Sequence, residues 1–147
     1  MKVESVHSAP AVRGACLCRE VAYEIRGPLG PVSHCHCTMC RKAHGAAFGS
    51  YAPVAHADFR WLYGASRVSR FRSSSKVCRT FCGRCGSTLQ FVPDSGETFS
   101  LAVATLDEDL ALEVASEVWT SERVAWADAA DAPAHYPENS PVRQGGS

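Results

Sequence analysis

The chain has 147 residues, one domain's worth, and its 46% hydrophobic content is enough to build a core. Its 15 basic and 15 acidic residues cancel, which excludes a strong global pull toward nucleic acid or an anionic membrane. No apolar run approaches the ~20 residues needed to cross a bilayer, and Met1 to Gly14 is polar with no apolar signal core, so a cytoplasmic protein is expected.

Charge is unevenly spread along the chain. Between Phe59 and Pro93 there are seven Lys/Arg and no acid, whereas from Asp94 onward eleven acids face only Arg123 and Arg143. This pattern describes one basic and one acidic solvated face, or a basic segment that meets an acidic partner.

In chain order, residues 1–11 read as a flexible leader and 12–136 as a single domain. Glu20 to Arg26 alternates polar and apolar residues as a half-buried strand does. Gly27-Pro28-Leu29-Gly30-Pro31 is a turn. Thr38 is the expected N-cap and Gly45 the expected stop of one short helix, Met39 to His44. Phe48 to Val54 reads as a strand, and Ala57 to Gly64 as a tight turn or a single helical turn. Strands are expected at Arg67 to Arg72, Lys76 to Phe81, Thr88 to Val92, Thr98 to Val103 and Glu113 to Thr120, parted by Ser-, Gly- and Pro-rich breaks. Arg123 to Ala130 fits either a strand or a short helix, and 137–147 reads as a disordered tail. The pattern predicts a mainly β domain of small antiparallel sheets with one short helix after the central cysteine cluster.

That cluster, His34-Cys35-His36-Cys37-Thr38-Met39-Cys40-Arg41-Lys42, is the densest chemistry in the chain. Cys16-x-Cys18 precedes it and Cys82-x-x-Cys85 follows. Close pairs of thiols in a reducing compartment read as metal sites rather than disulfides. Seven thiols in three groups suit two metal ions, and four plus three leaves one ion a ligand short. Alternate residues of a strand share a face about 6.6 Å apart, so C-x-C can offer both sulfurs to one ion. Cys82-Gly83-Arg84-Cys85-Gly86 is a knuckle that turns two sulfurs together. Cys78 lies four extended residues, about 13 Å, from Cys82 and reads as a small hydrophobe.

Soft thiolates favour zinc. Two zinc ions with seven thiolates would bring the net charge to about −3, which Arg41, Lys42, Arg79 and Arg84 border and can offset. If Cys35 and Cys37 face the metal from an extended segment, His34 and His36 point the other way. His44, one helical turn after Cys40, can instead close the second site as its fourth ligand. His7, His56 and His135 have no partners in sequence.

These residues resemble the glutathione-dependent formaldehyde-activating enzyme family, which also includes centromere protein V. The landmarks are Gly14-Ala15-Cys16-Leu17-Cys18, the stretch His34 to Lys42, Gly45 to Phe48, Arg79 to Ser87, Ala104 to Asp107, Trp119 to Trp126 and His135-Tyr136. The likeness runs from about Gly14 to Tyr136. Arg19 departs from it, since the family usually has glycine after the second cysteine.

The resemblance implies several coiled β-sheets built around zinc. It implies a structural zinc on Cys16, Cys18, Cys82 and Cys85, and a second zinc with an open position on Cys35, Cys37 and Cys40. The implied activity is that of a carbon-sulfur lyase, with glutathione held as thiolate and added to formaldehyde to give S-hydroxymethylglutathione. Arg41, Lys42 and Arg79 are then candidate anchors for the carboxylates of the thiol, and His34, His36 or His44 candidate proton shuttles. The alternative is a non-catalytic zinc-stabilised binding module in which both metals are structural.

Overall fold

In the computed structural model, which describes residues 10–127, 135, 137 and 138, ten strands form two sheets. The smaller sheet has the order β1-β2-β5, from Val12–Ala15, Ala22–Ile25 and Phe59–Tyr63. The larger has the order β10-β3-β4-β9-β8-β7-β6. Its strands are β3 (Val32–Cys35), β4 (Gly49–Ala55), β6 (Val68–Ser74), β7 (Val77–Cys82), β8 (Thr88–Pro93), β9 (Thr98–Ala102) and β10 (Val114–Val118). The expected mainly β architecture and its single α-helix are present.

The sheets are fewer and larger than the sequence pattern suggests, because β6 to β9 run on as one antiparallel meander that β4, β3 and β10 extend. One pairing is parallel, β10 against β3, with Val118 opposite Cys35. Phe59–Tyr63 is a strand rather than part of a turn. Its Phe59 and Trp61 rings pack on Tyr23 at 5.2 and 6.3 Å, and aromatic residues suit a pleated surface. A 3₁₀ turn, His56–Asp58, precedes it.

Every residue of β2 is buried, so it is not the half-buried strand its alternation suggested. Glu24 sits among those residues because three arginines meet its carboxylate: Arg26 at 2.9 Å, Arg60 at 2.6 Å and Arg13 at 3.8 Å. These bonds hold its carboxyl below the usual range.

Helix α1 spans Thr38–His44, and Gly45 ends it in the left-handed conformation (φ 58°). The cap is not Thr38 but Cys37, whose Sγ accepts the Cys40 N–H at 3.3 Å. The main core joins Val21, Tyr23, Ile25, Val54, Leu89, Phe99 and Leu101 to Cys16 and Cys82. A smaller cluster gathers Cys35, Cys40, Tyr51 and Ala102. Most of the expected leader and tail, and the end of the ambiguous segment Arg123 to Ala130, lie outside the described residues. The described part of that segment includes a 3₁₀ turn, Ala125–Ala127. Among the described residues no helix is long and apolar enough to cross a membrane.

Candidate metal centres

Two groups of cysteines bring their sulfurs together, Cys16, Cys18, Cys82 and Cys85 in one and Cys35, Cys37 and Cys40 in the other. Within each group the ligand atoms all lie within 4.8 Å of one another, and none of the eight cysteines is in a disulfide. A tetrahedral metal with bonds near 2.3 Å to sulfur needs sulfurs about 3.8 Å apart. The Cys16–Cys18 and Cys18–Cys82 sulfurs are 3.5 and 3.8 Å apart. The donor chemistry and spacing of both clusters therefore suit a soft metal ion.

The four-thiol cluster joins the β1–β2 connection to the knuckle that follows β7. In the knuckle, the Gly86 N–H donates to the Cys82 carbonyl at 2.9 Å, and Gly86 adopts φ 79°, which a side chain would resist. In the opposing turn, the Val21 N–H donates to Cys16 Sγ at 3.4 Å. Arg19 occupies a left-handed position there, φ 62°, a conformation that favours glycine. Its guanidinium makes a two-pronged pair with Asp107, both contacts at 3.2 Å. Without metal the four thiols are uneven. Burial works against ionising Cys85, but bonds to Ser87 and the Cys18 backbone outweigh it and bring its pKa down to about 5. The Cys18 thiol is pushed up to about 11: the Glu20 backbone favours its thiolate, but burial and the neighbouring sulfurs prevail.

The three-thiol cluster is placed by β3, which ends at Cys35, and by the first turn of α1. Burial pushes the Cys35 thiol up to about 12. At Cys37 burial is overcome by the Cys40 N–H, and its pKa falls below the ordinary value. Arg79, buried, directs Nη1 and Nη2 at Cys40 Sγ (3.8 and 3.6 Å) and Nη1 at the Tyr51 hydroxyl (3.1 Å), with its guanidinium 5.0 Å from the centre of the Phe91 ring.

A cavity of about 330 Å³ opens on all three of these thiols and is lined also by Thr38, Met39, Arg79, Phe91, Trp119 and Glu122. A larger cavity of about 580 Å³ touches Cys85 and His44 but none of the three thiols. Its other walls are mainly small residues.

His44 does not join the thiols. Its Nε2 is bonded to the Tyr51 hydroxyl at 2.6 Å, and burial followed by the Arg79 charge keeps its pKa low. His34 bonds Ser50 (3.0 Å) and His36 bonds Glu117 (3.1 Å), so neither belongs to the group. Of the three candidate anchors, Arg79 lines the cavity. Arg41 is turned to its own loop, with Nε on the His36 carbonyl and Nη2 on Thr38. Lys42 lines an adjacent groove of about 340 Å³ that shares Met39 and Arg79 with the cavity. Cys78 lies outside both clusters.

Trp119 and Glu122 escaped the sequence reading as site residues. They come to the cysteines through the parallel β10–β3 pairing, and no local spacing announces that contact. Five of the seven cations in the basic segment have a partner, although Glu24 is shared by three arginines and Glu20 by two. Arg60 pairs with Glu24, Arg67 and Arg84 with Glu20, Arg72 with Asp94, and Arg79 turns to Cys40.

The fold and the two clusters define a mainly β protein with places for two thiolate-bound metal ions. The chain belongs to the glutathione-dependent formaldehyde-activating enzyme family, which it matches over residues 11–122. A Halomonas elongata protein provisionally named for the same enzyme is 29% identical over 106 residues, 67% of this chain and 68% of that one. A Schizosaccharomyces pombe protein described as an uncharacterized lyase is 28% identical over 88 residues, 60% of this chain and 62% of the relative. A crystal structure of a Rhodobacter sphaeroides protein superposes with a TM-score of 0.59 at 23% identity. It covers 71% of this chain and 98% of the other, and so shares the fold.

Proposed function

We propose that the chain is a zinc-dependent carbon-sulfur lyase that joins a small thiol, foremost glutathione, to formaldehyde at the three-thiol cluster. Cys16, Cys18, Cys82 and Cys85 hold a structural zinc, and Cys35, Cys37 and Cys40 a second one with a fourth position free. The observation that carries this reading is the 330 Å³ cavity lined by all three cysteines, with no histidine among the described residues completing their set.

Zinc would supply a soft Lewis acid that favours the thiolate form of an incoming thiol. Around it, Arg79 donates to Cys40 and offsets the thiolates' negative charge. Phe91 and Trp119 wall the cavity with apolar surface. Lys42, in the adjoining groove, is placed to meet a carboxylate of the thiol, while Arg41 steadies the loop. In the reaction the thiol gives up its proton and its sulfur adds to the formaldehyde carbon. The C–S bond forms as the carbonyl π bond opens, and the oxygen takes a proton to become the hydroxyl of S-hydroxymethylglutathione. Nothing else is lost, and the reverse step breaks the same bond. A cytoplasmic setting supplies both reduced cysteines and glutathione.

Calorimetric titration with glutathione and with S-methylglutathione, which cannot ionise at sulfur, tests the reading. Binding of the first and not the second is expected, strengthening as pH rises toward the pKa of the thiol. NMR should then show adduct formation faster than the spontaneous rate, and Cys40→Ser should abolish the gain. Equal affinity for both compounds places glutathione elsewhere and overturns the proposal.

A further inference from the structure

Trp119 adopts φ 56°, a left-handed conformation that is an outlier for a bulky side chain. The residue is 62% exposed, and no aromatic ring among the described residues stacks on it. Burial therefore does not explain why the chain holds a tryptophan there.

The backbone on both sides is tied to the cysteine loop. Val118 pairs with Cys35, and the His36 N–H donates to the Val118 carbonyl at 3.0 Å. Beyond Trp119, the Glu122 N–H returns to the Trp119 carbonyl at 3.0 Å, and Glu122 Oε2 accepts the Thr38 N–H at 2.7 Å. Conformational strain persists only where the surroundings over-determine it. These ties fix the indole in the wall of the cavity that contains the three thiols.

The charges lining that cavity limit what it can recognise. Among the described residues Arg79 is the one cationic side chain lining it, and its two terminal nitrogens are directed at Cys40 and Tyr51. Glu122 adds a negative group. The terminal nitrogens of Arg79 are taken by Cys40 and Tyr51 and its guanidinium lies against the Phe91 ring, whereas the exposed Trp119 can receive a flat group.

We propose that Trp119 is a specificity-determining residue that stacks on a planar amide or aromatic group of the incoming thiol, so that peptide-like thiols are selected over small alkyl thiols. This deepens the reading of the three-thiol cluster as a thiol site and rests on it.

The test uses the zinc-loaded full chain with glutathione and 2-mercaptoethanol as probes, followed by calorimetry and by tryptophan fluorescence. Trp119→Ala and Trp119→Gly should each weaken glutathione binding about fivefold to tenfold, within the roughly twofold to twelvefold that an aromatic contact spans. Both should leave 2-mercaptoethanol within about twofold, and Trp119→Phe should keep most of the glutathione affinity. Glutathione should change the fluorescence of the wild-type chain, and that change should vanish in Trp119→Phe. Unchanged glutathione affinity in the alanine variant overturns the proposal, as does an equal loss for both thiols. Recovery in the glycine variant also overturns it, because the backbone and not the ring would then be responsible. If neither probe binds the wild-type chain, the underlying thiol site fails as well; if both bind but the variants do not discriminate, only the role of Trp119 fails.

Discussion

The four-thiol and three-thiol clusters use the same side chain in opposite settings. Cys16 and Cys82 belong to the main core, and their cluster ties the connection between two strands of the small sheet to a knuckle of the large one. Cys35 and Cys40 belong to the smaller cluster, beside a cavity. A complete ligand set anchored in a core leaves a metal no coordination position to use. An incomplete set beside a cavity leaves it a coordination position to use. The difference lies in the number of sulfurs as well as in what surrounds them.

The strongest way to break this comparison is to remove one ligand from each side. Cys82→Ser should unfold or aggregate the domain, because a structural zinc supplies on the order of 10 kcal/mol, comparable to the whole stability of a domain. Cys40→Ser should lose one metal equivalent and keep most of its β-sheet circular dichroism. Equal collapse of both variants would erase the distinction.

Acid titration should separate the two sites more gently. Metal binding releases thiol protons, so affinity falls as pH falls. At the three-thiol site the proton of Cys35, whose metal-free pKa is pushed up to about 12, has to be displaced and only three thiolates share the ion. Its metal should therefore leave first, at the higher pH. A chromogenic chelator should record two steps, and the same order should follow from metal analysis of Cys40→Ser, which should show only the later one. A single step would mean that the sites are equivalent.

The smallest effect is expected at Arg19→Gly. Glycine relieves the left-handed backbone but gives up the exposed pair with Asp107, and such pairs contribute little. The melting temperature should move by no more than about 3 °C, and metal content should stay the same. A large loss would make that pair a structural part of the four-thiol site.

The spacing of the cysteines made both clusters legible in advance, because two-residue and three-residue intervals already bring sulfurs to one face or one turn. The short helix was also legible through Gly45, but its cap was not. Hydroxyl and carboxylate side chains usually cap helices, so Thr38 was the natural choice, whereas the sulfur of Cys37 takes the bond. The contacts of Arg79 with Cys40 and Tyr51 span 39 and 28 residues, and β10 reaches β3 by a pairing no local pattern encodes. Trp119 was hidden for a further reason: its conformation is one that propensity assigns to glycine or asparagine.

The meander β6 to β9 is joined only by neighbours in sequence, while β1 and β2 reach the rest of the molecule through distant strands. Contacts close in sequence form before those that must close long loops. Cys82 and Cys85 should therefore be presented early, as a half-made clasp on the meander, and Cys16 and Cys18, 64 residues before Cys82 in the closer case, should arrive late. Metal added during refolding would then accelerate the last step rather than the first, locking the small sheet onto a large one that is already formed.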